Sequence, residues 1–251
     1  MVPRVSAALS SKADGEARLS VAEAELAGYT SRMFPVSDVI PSRTTPFVTI
    51  GLIALNALTF FVELLLDEHE LQQFVEAFGL VPASFSWTAA LTSQFLHAGW
   101  VHVIGNMLYL WIFGDNVEDR LGHARYLLFY LFCGAVAALG QTLTHPASTV
   151  PMIGASGAVA GVMGAYFVFY PHSRVLTAVF LVFFLDLVEI PAIYFLGVWL
   201  LMQLFNGVGS IGAETAAGAV AFWAHVVGFA AGGAFGSLQR LVEHKHHRWE
   251  H

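Results

Sequence analysis

Residues 151–166 read PMIGASGAVAGVMGAY, with Ser156 between glycines at the head of a stretch apolar enough to lie inside a bilayer. At about 100° per residue, Gly157, Gly161 and Gly164 fall within roughly 60° of one another on a helix. Such a face lets a second helix approach closely. Taken alone, Ser156 is either one more small residue in a packing seam or a nucleophile. The elbow of a soluble hydrolase is excluded, because it needs G-x-S-x-G after a strand and position 158 is alanine.

Composition places that stretch in a membrane. The 251 residues are 57% hydrophobic and 12% charged, with a mean hydropathy of +0.66; soluble domains carry about 25% charged residues. The net charge of −7 says little, since the charges lie at the ends and in short connections. No basic run suggests a nucleic-acid partner. Cys133, the single cysteine, sits in an apolar run and is expected to pack rather than pair. The N-terminus lacks the basic-then-apolar pattern of a cleavable signal peptide.

A span needs about 20 mostly apolar residues. The clearest are 47–66, 126–144 and 218–238; shorter or more polar ones are 101–117, 154–171 and 191–207. Residues 175–185, VLTAVFLVFFL, are too short for a span and are expected to form an interfacial or re-entrant segment. All eleven Lys and Arg lie before residue 47, at Arg120, Arg125 and Arg174, or after residue 239. With six spans and 175–185 on the inner surface, every one of them is cytoplasmic, as the positive-inside bias requires. A seventh span would put Arg240, Lys245 and Arg248 outside. The expectation is therefore an all-α six-span bundle with residues 1–46 and 239–251 cytoplasmic and 47–238 as its membrane domain. Residues 67–100 become a long outer loop lying against the membrane surface. Residues 1–32 are polar and fit a dispensable extension before Met33. They hold too few arginines and too many acids for an organellar presequence, which favours a bacterial plasma membrane.

Polar residues inside spans mark function by default. His225 lies mid-span in FWAHVVGFAAGGAFG and heads a stripe of Gly228, Gly232 and Gly236 on one helix face. A buried imidazole needs a hydrogen-bond partner, and a serine needs a nearby base to become nucleophilic. His102 and Asn106, at i and i+4, share a face of the second span. Both are side-chain donors of the kind an oxyanion hole uses; otherwise they are interhelical hydrogen bonds. His97, just outside that span, is expected to be structural.

With these residues in view, the chain resembles the rhomboid family of intramembrane serine proteases. The resemblance rests on His102-x-x-x-Asn106, Gly154-x-Ser156-Gly157, Ala224-His225-x-x-Gly228 and Glu118-x-Arg120-x-Gly122, in that family's order across six spans, and covers about 33–240. It implies a Ser156–His225 dyad, an oxyanion hole of His102, Asn106 and the Ser156 backbone N–H, and a structural Glu118–Arg120 motif. It further implies an endopeptidase with no cofactor or metal, acting on single-span membrane proteins within the lipid bilayer. No Asp or Glu is placed to orient His225. Some rhomboids carry an aromatic one turn after the serine, packing on the histidine; here that position is Ala160. Support for His225 is expected instead from the aromatic-rich 195–205 or from Phe222.

Three other readings are weighed. A zinc site from His97, His102 and His225 lacks any H-E-x-x-H. A transporter would carry an inverted repeat, which is not evident. A catalytically inactive helix-binding relative is opposed by the presence of both Ser156 and His225. The C-terminal HKHHRWEH is expected to be a solvated tail, and Asp186 and Glu189 inner-surface charges near Arg174.

Overall fold

The computed structural model describes residues 33–181, 184–210 and 221–249. The expectations for residues 1–32, for the start of the 218–238 span and for the tail side chains from residue 244 lie outside the described residues. A helix occupies each of the six expected stretches. In chain order the elements are β1 (Met33–Asp38), α1 (Phe47–Leu65), α2 (Glu68–Phe78), α3 (Trp87–Thr92), α4 (Trp100–Leu121), α5 (His123–Thr144), α6 (Ser156–Phe169), β2 (Arg174–Leu181), β3 (Phe184–Pro191), α7 (Ala192–Gly209) and α8 (Phe222–Trp249). Among the described residues α1, α5 and α7 are long and apolar enough to cross a membrane.

The central element is α6. Every residue from Gly157 to Tyr166 is buried, with α4, α5 and α8 packed around it. A helix apolar on all sides belongs in the interior, and this one carries Gly157, Gly161 and Gly164 along its buried length. A Cβ at Gly228 or Gly232 of α8 would collide with the Gly157 or Gly161 carbonyl, and one at Gly164 with that of Phe229. The two glycine stripes thus face each other. Cys133 of α5 is fully buried against Gly161.

The ends of α4 are tied to its neighbours. Glu118, fully buried, accepts from the Val48 and Thr49 N–H groups at 2.9 and 2.8 Å and from the Thr49 hydroxyl at 2.7 Å. These amides in the first turn of α1 have no intrahelical acceptor, and a carboxylate is the group a helix N-terminus favours. His123 adds a fourth contact at 2.6 Å. Arg120 pairs with Glu243 of α8 at 2.6 Å and covers the Phe169 ring at 4.3 Å. Gly122, at φ +79°, makes the turn from α4 into α5.

The 175–185 segment is not helical. β2 pairs antiparallel with β3 and with β1, giving a three-stranded sheet in the order β1-β2-β3. This departs from the all-α expectation, although the chain remains mostly helical. Arg174 meets Glu189 across the β2–β3 pair at 3.0 Å. Asp38, at the end of β1, accepts from the Tyr166 hydroxyl at 2.6 Å and from the Asn116 amide at 3.1 Å, linking the sheet to α6 and α4.

The outer segment 67–100 folds as short helices and turns. Asp67 and Glu70 form a capping box at the start of α2. Leu80 pairs with Met152 and the Gly154 N–H donates to Ser93 O at 2.8 Å, so this segment is laced to the approach to Ser156.

Candidate active site

Ser156 is the first residue of α6. The first intrahelical bond of that helix is Val159 N–H to Ala155 O, so the N–H groups of residues 156–158 lack intrahelical partners. The turn into the helix requires glycine at 154, where φ is +127°. A Cβ there would lie 2.6 Å from His102 Nε2 and 3.8 Å from Ser156 Oγ, so this glycine also lets the imidazole edge come close to the serine.

His102 is oriented from α4. Its Nδ1 accepts from the Ala98 N–H at 3.4 Å, a weak bond that leaves the proton of the neutral ring on Nε2, the atom facing Gly154. Asn106, one turn on, donates to His97 Nε2 at 3.1 Å and keeps its second N–H. His97 is buried, stands edge-on to His102, and donates its backbone N–H to both oxygens of Glu63 in α1 at 3.2 Å. An acid on α1 and a histidine before α4 together hold the asparagine.

His225 lies in the second turn of α8. Its Nδ1 is 2.8 Å from Gln203 Oε1 and its ring 5.8 Å from that of Trp199, inclined by 36°. Both partners belong to α7, in the 195–205 stretch where support was expected. The Ala224 N–H, next to His225, donates to Gln141 of α5 at 3.2 Å.

Ser156, His225, His102 and Asn106 all line one cavity of about 720 Å³, with Met163, Trp199, Gln141 and His145. No hydrogen bond joins Ser156 Oγ to His225 among the described residues; the two share the cavity, and catalytic hydrogen bonds commonly tighten only with substrate in place. Glu118 and Arg120 lie at the opposite end of α4, away from this cavity. Among the described residues no group of three or more His, Cys, Asp or Glu is placed to hold a metal ion. Sequence reading did not single out Gln203, Gln141 or Glu63. The available signal was the cost of an amide or carboxylate in an otherwise apolar helix.

Apolar helices packed around a polar cavity, three of them long enough to cross a membrane, define the class as a polytopic membrane protein. The Rhomboid domain family model matches residues 84–240, more than half of the chain, and the chain belongs to the rhomboid family. It is similar to rhomboid protease GluP of Bacillus subtilis, 35% identical over 124 residues, which cover 48% of this chain and 24% of that protein. It is also similar to Rhomboid-like protein 11, chloroplastic, of Arabidopsis thaliana, 42% identical over 76 residues, covering 30% and 27%. Rhomboid protein 1, mitochondrial, of Saccharomyces cerevisiae is 31% identical over 115 residues, covering 43% and 33%. The matched stretches span under half the length of these relatives. Family and apolar helices together make this an integral membrane protein.

Proposed function

We propose that the chain is an intramembrane serine endopeptidase that cuts the transmembrane segments of single-span proteins. The observation that carries the reading is the shared cavity, into which Ser156, His225, His102 and Asn106 open from three helices. In the proposed reaction His225 Nε2 takes the Ser156 proton as Oγ attacks the peptide carbonyl. The oxyanion is held by His102 Nε2–H, the second Asn106 N–H and the Ser156 backbone N–H, in a low-dielectric site where each donor counts for more than in water. His225 then passes the proton to the leaving amine. Water, activated by the same imidazole, hydrolyses the acyl-enzyme. The substrate helix must unwind first, since an intact helix keeps its carbonyls in its own hydrogen bonds.

The proposed topology is six spans, α1, α4, α5, α6, α7 and α8, forming a catalytic domain over 47–238. Both termini are cytoplasmic, in a bacterial plasma membrane, and the 67–100 segment rests on the outer face. Exposed Trp87 and Trp100 suit that interfacial placement. Purified protein in detergent, given a fluorescent single-span substrate, tests the activity. Wild type is expected to cleave, while Ser156→Ala and His225→Ala, folded by thermal melt, leave the substrate intact. Cleavage persisting in Ser156→Ala would refute the nucleophile assignment.

A further inference from the structure

We propose that Gln203 is the positioning residue for His225, its side-chain oxygen holding the Nδ1 proton so that Nε2 remains the free base. This rests on the protease reading and supplies what a two-residue dyad otherwise lacks, a group that selects the imidazole tautomer.

The geometry carries the inference. Gln203 Oε1 is 2.8 Å from His225 Nδ1, and an amide oxygen only accepts, so a neutral ring bonded to it bears its proton on Nδ1 and a lone pair on Nε2. The Gln203 side chain is 8% exposed on a helix whose other buried residues are Ala192, Leu196 and Gly207. An amide withdrawn from water in such surroundings is costly unless it is bonded, and His225 is the partner it has. Trp199 precedes Gln203 by four residues, so both project from one face of α7, with the indole ring against the imidazole.

Among the described residues, the titratable side chains sharing the cavity with His225 are His102 and Tyr109 of α4 and His145 after α5, and no Asp or Glu lines it. The amide therefore does by orientation what a carboxylate would do by orientation and charge. A neutral partner fixes the tautomer without adding a charge beside the ring.

The test compares full-length wild type, Gln203→Met, Gln203→Glu and Ser156→Ala in detergent on one fluorescent single-span substrate, measuring kcat, KM, their pH profiles and the melting temperature. Methionine keeps the length and removes the acceptor. It is expected to lower kcat about 10- to 100-fold, the usual range for an unmade buried hydrogen bond, with KM within about twofold. Glutamate restores an acceptor and adds charge beside the ring. It is expected to retain cleavage and to move the acid limb of kcat/KM to higher pH, because an adjacent anion favours the imidazolium. A wild-type kcat in Gln203→Met, or an unmoved acid limb in Gln203→Glu, overturns the role. If Gln203→Met fails to fold, the glutamate profile alone decides. Equal cleavage by Ser156→Ala and wild type would instead overturn the protease reading, and this role with it.

Discussion

His102 and Asn106 show how much one hydrogen bond decides at the scale of a residue. The Ala98 N–H on His102 Nδ1 leaves Nε2–H directed at the space beside Gly154, and His97 takes one of the two Asn106 protons while leaving the other. Removing one such donor is expected to slow cleavage about 10²- to 10³-fold with little change in KM; kcat and KM of His102→Ala and Asn106→Ala check this. His97→Ala is expected to give a milder loss, since it frees Asn106 to turn but leaves its N–H groups present. The four central residues were legible because each is a polar group in an apolar stretch, where only a role justifies its presence. Gln203 and Trp199 were not. Their bond and ring contact with His225 depend on how α7 is rotated toward α8, and nothing local in the chain encodes that rotation.

At the scale of elements, the α6–α8 contact sets where the serine and histidine stand relative to each other. Substituting alanine at Gly232 puts a methyl into the Gly161 carbonyl, and at Gly164 into that of Phe229. Either helix must then shift, with a penalty of about 1–3 kcal/mol or more for overpacking. Gly232→Ala is expected to lower both melting temperature and cleavage, whereas Gly197→Ala on α7, where a Cβ meets nothing within 4 Å, is expected to change neither. The glycine periodicity announced this seam in the sequence, because helical spacing is local. The sheet was hidden for the opposite reason. Eleven residues at 175–185, apolar except for Thr177, do not distinguish a buried strand from a helix by periodicity. The first strand of the sheet lies about 140 residues earlier, at Met33–Asp38.

Across the whole molecule, the sheet and the end of α6 remote from Ser156 are joined through one acid. Burial pushes Asp38 up to about 6, with the nearby Asp115 adding to the effect and the Tyr166 hydrogen bond opposing it. A carboxyl raised in the folded state binds more protons there than in the unfolded chain between about pH 4 and 6. Its contribution to stability therefore falls as pH rises through that window. Wild type is expected to lose melting temperature relative to Asp38→Asn from pH 4 to 6.5; parallel curves would show that Asp38 is not the titrating group. At the same scale, the Glu118 carboxylate holds four donors from α1 and the α4–α5 corner. Glu118→Gln must present an NH₂ to some of these donors and is expected to destabilise the fold by about 1–3 kcal/mol, read as a lower melting temperature.

The central claim is that Ser156 is a nucleophile activated by His225. Its most direct measurement is covalent labelling by a fluorophosphonate, located by peptide mass spectrometry, on wild type and His225→Ala of equal melting temperature. The expected result is a single adduct on Ser156 that falls to background in His225→Ala. An unlabelled Ser156 in a folded protein, or labelling unchanged without the histidine, would contradict it.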